Sequence, residues 1–292
     1  MGTVYKARDN KLGRLVALKF LSEDLSADRE SREQFWREAQ LLSRIDHPNI
    51  CTIHAIDTTP FGQIYFVMPL YHGKTLRRIL KDGPLPFEKA IDYALQITDG
   101  LHAAHQQNII HTDIKPANLF VTETDTVKIL DFGVARMRHD EAGGELIFGG
   151  TIPYMSPEQL RSETLGHRTD IWSLGVVVYE MFTGRCPFEA EFDDVVMKKI
   201  LNDSLPPIAA QPVELNEMLD RMLEKNREKR IVQAGEVKTL LATLRKQSDP
   251  DIESDPDEQQ DGRSEKASVR RRIDYAVFTI VLLSMAYILS VL

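Results

Sequence analysis

His111-Thr112-Asp113-Ile114-Lys115-Pro116-Ala117-Asn118, followed by Asp131-Phe132-Gly133, is the stretch on which the reading of this chain turns. It brings two carboxylates, a carboxamide and an ammonium into one short length of chain. Carboxylate and amide oxygens are the ligands that a hard divalent cation such as Mg²⁺ takes. A carboxylate can also receive or orient a hydroxyl proton, and a nearby lysine can stabilise developing negative charge. Asp-Phe-Gly alone is a common turn sequence. The ordered set His-x-Asp-x-Lys-x-x-Asn with Asp-Phe-Gly 13 residues after the Asn is far more specific.

Further motifs flank that core. Upstream stand Val16-Ala17-Leu18-Lys19, Arg37-Glu38-Ala39 and Val67-Met68-Pro69-Leu70-Tyr71. Downstream stand Ser156-Pro157-Glu158, Asp170-Ile171-Trp172-Ser173-Leu174-Gly175 and Asn226-Arg227-Glu228-Lys229-Arg230. With these motifs the chain resembles a protein kinase of the bacterial, eukaryotic-like Ser/Thr type, from Met1 to about Leu244. The resemblance implies an α+β, two-lobed protein-kinase-like fold. A small, mainly β N-lobe would cover about residues 1–70 and a large helical C-lobe about 73–245, so that the kinase domain fills 1–245.

The resemblance also implies roles. Asp113 would orient the substrate hydroxyl and Lys115 would stabilise charge on the γ-phosphate of ATP. Asn118 and Asp131 would hold Mg²⁺, with Mn²⁺ as the alternative ion. Lys19 would contact the α- and β-phosphates and be steadied by Glu38. Met68 would stand as gatekeeper, and Pro69 and Tyr71 would bind adenine through a carbonyl and an N–H; a proline keeps the carbonyl that is needed there. Val4, Ala17 and Phe120 would sandwich the adenine ring. Thr151 would support the catalytic Asp and Lys, and Glu158 would pair with Arg230. Asp170 would hold the catalytic-loop backbone. Ile53, Leu42, Phe132 and His111 would form an apolar column between the lobes, which makes His111 structural.

Two departures from the family pattern stand out. Of the usual Gly-x-Gly-x-x-Gly-x-Val loop only Gly2-Thr3-Val4-Tyr5-Lys6-Ala7 is present, without the preceding strand and the first two glycines. Those glycines let backbone amides approach phosphates. A misassigned start explains their absence more readily than a damaged site. The second departure is Thr112, which stands where many kinases have the arginine that binds a phosphorylated activation loop. The stretch from Val134 to Gly150 contains no Ser, Thr or Tyr. Receptor and phosphate acceptor are missing together, so activity is expected not to depend on activation-loop phosphorylation.

Hydropathy patterning fills in the organisation. Short β-type runs cover Thr3 to Ala7 and Leu15 to Phe20 around a turn at Asp9 to Gly13. Phe35, Ala39, Leu42 and Ile45 recur at helical spacing, which predicts a helix over roughly Ala27 to Arg44. Strands are expected over Ile50 to Ile56 and Ile64 to Met68 around Pro60-Phe61-Gly62. Helices should dominate from Leu76 onward. Residues 246–272 read as an acidic, polar, disordered linker ending in Arg270-Arg271-Arg272. Tyr275 to Leu292 is an uncharged run of 18 residues, about 27 Å as a helix, which is close to a bilayer core. It is read as one transmembrane helix, and the flanking arginines place the kinase-like domain in the cytoplasm as a single-pass cell-membrane protein.

Composition sets outer bounds. The 292-residue chain carries a formal net charge of −8 and 42% hydrophobic residues. The acidic balance argues against nucleic acid as a partner. Cys51 and Cys186 lack metal-type spacing and read as packing residues in a reducing compartment. The function expected is transfer of the ATP γ-phosphoryl group to Ser/Thr hydroxyls of protein substrates, with the membrane and a second copy or membrane protein as further partners. The competing reading is a pseudokinase, a membrane-tethered binding module. A small-molecule kinase is a third, disfavoured by Gly150-Thr151-Ile152-Pro153-Tyr154-Met155-Ser156-Pro157-Glu158.

Overall fold

The computed structural model describes residues 3–20, 43, 45–132, 152–209 and 211–248. The helix read over 27–44, with Glu38 and Leu42, lies outside the described residues apart from Ser43. So do Thr151, most of the 246–272 linker and the 275–292 segment.

The first two strands form a hairpin. β1 (Val4–Asp9) and β2 (Arg14–Phe20) meet at a turn that its own sequence closes. Asp9 Oδ1 accepts from the N–H groups of Lys11 and Leu12 at 3.0 and 3.1 Å. Gly13, at φ +67°, supplies the left-handed residue that lets its N–H return to the Asp9 carbonyl. The N–H of Leu12, then that of Lys11, holds the Asp9 carboxyl below its usual range.

β3 (Ala55–Thr58) and β4 (Ile64–Pro69) complete an antiparallel sheet in the order β1-β2-β4-β3. Its register sets Val4 opposite Lys19, Lys19 opposite Phe66 and Ala17 opposite Met68. Directly opposed residues share a face, and so do residues two apart along a strand. Val4, Ala17, Lys19, Phe66 and Met68 therefore line one side of the sheet.

The strand expected from Ile50 begins only at Ala55. The intervening segment serves another sheet first: Ile50 bridges Ile129, Cys51 N–H donates to the Ile129 carbonyl at 2.9 Å, and Ile129 N–H donates to Asn49 O at 2.8 Å. An apolar run alone does not reveal which neighbour takes its backbone bonds. Here the run staples the small lobe to the large one before joining its own sheet.

The large lobe opens with β5 (Gly73–Thr75), which pairs with β6 (Leu119–Thr122), itself paired with β7 (Val127–Ile129). Gly73 permits that pairing, because a Cβ there would lie 2.0 Å from Val121 O. Helices form the remainder: α1 (Leu76–Leu80), α2 (Phe87–Gln106), α3 (Pro157–Leu160), α4 (His167–Thr183), α5 (Asp193–Asn202), α6 (Val213–Met222) and α7 (Ala234–Ser248). The small antiparallel-sheet lobe and the helical lobe give the two-lobed architecture expected. Among the described residues no helix is long and apolar enough to cross a membrane.

α4 is the axis of the large lobe. Ile171, Trp172, Leu174, Val176, Val177 and Val178 are fully buried, and each such apolar side chain contributes roughly 1.5–3 kcal/mol on leaving water. A helix that is apolar all round must be enclosed. α4 ends at Gly184, whose φ of +72° forms the left-handed cap and whose N–H returns to Glu180 O. One face of α2, carrying Ala90, Ile91, Ala94, Ile97 and Leu101, packs into the same core.

Candidate active site

The loop between α2 and β6 carries His111, Thr112, Asp113, Lys115 and Asn118. His111 is fully buried and lies 4.6 Å, ring to ring, from Phe132. Its Nδ1 accepts from Asp113 N–H at 3.1 Å, and its Nε2 lies 2.8 Å from the Leu130 carbonyl. An accepting Nδ1 and a carbonyl at Nε2 together assign the neutral Nε2–H tautomer. Both ring nitrogens are occupied by backbone, so His111 holds structure and has no free nitrogen for proton transfer.

Asp170, at the start of α4, grips the same loop from below. Its Oδ2 accepts from His111 N–H and its Oδ1 from Thr112 N–H, each at 2.8 Å. His105 Nε2 meets Oδ2 at 2.8 Å. Burial alone would raise this carboxyl, but the bond from His105 and the backbone N–H of His111 outweigh it and hold it below the usual carboxylate range. The grip matters because Thr112 is held at φ +65°. A β-branched residue in the left-handed region costs of order 1–3 kcal/mol and persists only when its surroundings over-determine it.

Asp113 follows directly. Asn118 Nδ2 donates to the Asp113 carbonyl at 2.8 Å and to its Oδ2 at 2.9 Å. Lys115 Nζ lies 2.7 Å from the same Oδ2. One carboxylate oxygen is thus fixed by two neighbours, while Oδ1 accepts from no described residue. Both Asn118 bonds use its nitrogen, so its Oδ1 is likewise unengaged among the described residues. Leu130 N–H donates to Asn118 O at 2.8 Å, which ties this loop to the segment carrying Asp131.

Asp131 also sits in the left-handed region, at φ +63°. Its Oδ1 forms an ion pair with Lys19 Nζ. That pair joins the β2 strand of the small lobe to the large lobe, and Lys19 is 8% exposed. Asn118 and Asp131 offer the amide and carboxylate oxygens that suit Mg²⁺, which is commonly held by one or two protein ligands plus phosphate oxygens. Among the described residues no group of three or more His, Cys, Asp or Glu side chains could hold a metal.

β4 ends with Met68 and Pro69, and the chain continues through Leu70 to Tyr71. The Tyr71 ring lies 6.2 Å from Phe120, and Lys128 Nζ lies 5.3 Å from the Tyr71 ring centre. Burial first, then the neighbouring Cys51, raises the Tyr71 phenol. Burial likewise pushes the Cys51 thiol up to about 11, which keeps it an inert thiol at neutral pH. Val4 stays 58% exposed at the end of β1.

Glu158 and Arg230 meet in the large lobe, buried at 2% and 1% exposure. Burial opposes the Glu158 charge, yet Arg230 and Thr169 hold its carboxyl below the usual range. Two residues were not singled out from the sequence: His105, against Asp170, and Gln159, whose Nε2 donates to the Thr112 carbonyl at 2.8 Å. Neither belongs to a contiguous motif with its partner. No local pattern points to these two contacts.

Residues 1–240 match a family model described as the protein kinase domain. The chain is 38% identical over 251 residues to a probable serine/threonine-protein kinase of Clostridium acetobutylicum, covering 83% of this chain and 38% of that relative. It is 35% identical over 268 residues to a probable serine/threonine-protein kinase of Clostridium perfringens, covering 89% and 39% respectively. It is 36% identical over 264 residues to the serine/threonine-protein kinase PknB of Mycobacterium tuberculosis, covering 86% and 42%. The chain thus spans about two fifths of the length of these curated relatives.

Proposed function

We propose that the chain, which belongs to the protein kinase domain family, transfers the γ-phosphoryl group of ATP to serine and threonine hydroxyls of proteins. The hydroxyl oxygen bonds to the γ-phosphorus as the bond to the β–γ bridging oxygen breaks. ADP leaves, and the hydroxyl proton passes to Asp113. The observation that carries this reading is the state of the Asp113 carboxylate. Asn118 and Lys115 immobilise Oδ2, and Oδ1, which accepts from no described residue, can receive the acceptor hydroxyl. Lys115 also lies where it can follow charge onto the transferring group.

Lys19 is assigned to the α- and β-phosphates, and its ion pair with Asp131 opens for the nucleotide. Asn118 and Asp131 would hold Mg²⁺, which when bound neutralises phosphate charge. Tyr71 lies outside the strand ladders, and its N–H donates to no described residue. Together with the Pro69 carbonyl it is assigned to adenine, with Val4, Ala17, Met68 and Phe120 around the ring.

Activity is proposed not to require a phosphorylated activation loop. Thr112 is uncharged and buried, which leaves no cation at that position to receive a phosphate. We also assign residues 275–292 as a single membrane anchor that keeps the kinase domain on the cytoplasmic side. Alkaline carbonate extraction should leave the full chain in the membrane pellet and release a chain ending at residue 272. Recovery of the full chain as a soluble protein would overturn the anchor.

Asp113→Asn in the full chain tests the reaction. Transfer of radiolabelled γ-phosphate to casein should fall at least 10³-fold while ATP binding changes little. Equal transfer by wild type and D113N would sink the assignment. Loss of wild-type activity after phosphatase treatment would refute the independence from loop phosphorylation.

A further inference from the structure

The peptide unit between Thr112 and Asp113 is pinned on both sides. Its N–H, that of Asp113, donates to His111 Nδ1 at 3.1 Å. Its carbonyl, that of Thr112, accepts from Gln159 Nε2 at 2.8 Å. Rotating this plane would swing the Asp113 carboxylate, so whatever fixes the plane aims the carboxylate. His111 belongs to the loop itself. Gln159 comes from α3, 47 residues away in sequence.

The Gln159 amide is well suited to the task. Its Oε1 accepts from Ser156 N–H at 2.9 Å, while the Gln159 backbone N–H donates to Ser156 Oγ at 3.3 Å. This reciprocal capping box anchors the oxygen end and turns the nitrogen end toward the catalytic loop. The amide orientation is forced: a flipped group would oppose oxygen to the Thr112 carbonyl and nitrogen to the Ser156 N–H. Gln159 is 5% exposed and Thr112 is 6% exposed, so water does not substitute for the bond. The element beneath Gln159 is rigid as well, because the adjacent Glu158 is held by Arg230 and Thr169.

A restraint on the carbonyl side matters most where the backbone would otherwise relax. Thr112 is such a place. Its left-handed conformation is one that a β-branched side chain resists. Asp170 restrains only its N–H. Gln159 supplies the matching restraint on its carbonyl.

We propose that Gln159 is a positioning residue for phosphoryl transfer, holding the Thr112–Asp113 peptide plane so that the Asp113 carboxylate faces the acceptor hydroxyl. The assignment rests on the phosphotransfer reading above. Gln159 acts through the backbone and touches no reacting atom. Its effect therefore belongs to kcat and leaves the KM for ATP nearly unchanged.

Gln159→Glu is the decisive variant. The glutamate keeps the oxygen that caps α3 and replaces the donor nitrogen with an oxygen facing the Thr112 carbonyl. With the full chain, ATP and casein, Q159E is expected to lower kcat 10- to 100-fold, as misplacement of a catalytic group by about 1 Å does. The KM for ATP should stay within about twofold. Ser156→Ala is the control: it breaks the same capping box on its other side, so it should lower the melting temperature and leave kcat within about twofold. Asn accepts the left-handed region more readily than Thr. T112N should therefore raise the rate of Q159E at least about threefold more than it raises that of the parent. An active wild type with Q159E at full kcat overturns the assignment alone. So does S156A slowing the reaction as much as Q159E, or T112N having the same effect in both backgrounds. A wild-type chain that transfers no phosphate removes the phosphotransfer reading, and this assignment with it.

Discussion

Arg230 holds Glu158 through both terminal guanidinium nitrogens, Nη1 to Oε1 at 2.7 Å and Nη2 to Oε2 at 3.0 Å. The same arginine donates from Nε to Glu224 O and from Nη1 to Arg168 O, and its guanidinium lies 5.1 Å from the Trp172 ring centre. Four of the five guanidinium N–H groups thus have a partner, and both residues are buried. Removing one partner leaves the other charge buried without compensation. Glu158→Ala is expected to cost about 3–5 kcal/mol, read as a lower urea midpoint at neutral pH. Replacing both residues with methionine should cost well under the sum of the two single changes. A sum that simply adds would mean that the pair is not coupled.

Lys19→Met removes the cation that joins the two lobes through Asp131. Methionine keeps the apolar stem that Lys19 packs beneath the sheet. Transition-state stabilisation should then be lost with little disturbance of fold. We expect kcat/KM to fall at least about 100-fold while the circular dichroism spectrum and the melting temperature stay close to wild type. Near-wild-type turnover would remove Lys19 from the phosphate site.

Acid should act through Asp170. Its carboxyl is held below the ordinary value despite complete burial, by His105 and by loop N–H groups. A depressed carboxyl contributes stability that is fully present above its unfolded value of 3.8 and is lost as pH falls through the lower folded value. Over that window the unfolded chain binds more protons than the native one, so stability rises with pH. In Asp170→Asn the dependence disappears. The expected result is a shallower fall in urea midpoint from about pH 5 to pH 3 than in wild type, from a lower starting value. Equal slopes would show that other carboxylates govern the acid limb.

These relationships were unequally visible in the sequence. Asp113, Lys115 and Asn118 stand within six positions, and a contiguous loop must bring them together whatever the rest of the chain does. Glu158, Asp170 and Arg230 became readable only through resemblance to a family, because their partners lie 58 to 72 positions away. Gln159 and His105 had no such help. A glutamine after Pro-Glu reads as a cap residue, and a histidine near a helix end reads as a dipole partner. The choice of β7 by Ile50, ahead of the neighbouring strand, is equally silent in an apolar run. Hydropathy periodicity reports that a segment is buried. It does not report which backbone completes its hydrogen bonds.

The large lobe carries one further group that should reveal itself through pH. Lys225 Nζ is buried without a hydrogen-bond partner among the described residues, 4.8 Å from the Trp172 ring centre and 4.6 Å from that of Phe188. Burial lowers its pKa to about 8, with Asp203 opposing the shift and Arg230 adding to it. The two ring faces offset part of the cost of desolvating the ammonium. A lysine depressed in the folded state behaves oppositely to one that gains a partner. Below about 8 it is charged in both states, and its burial penalty is constant. Between there and its unfolded value of 10.5 the unfolded chain binds the extra proton, so the penalty fades and stability rises with pH. Lys225→Met removes this dependence while filling the same space. The melting temperature of wild type relative to K225M is therefore expected to climb steadily from pH 7.5 to pH 10. A constant difference across that range would place the ammonium in contact with water in solution.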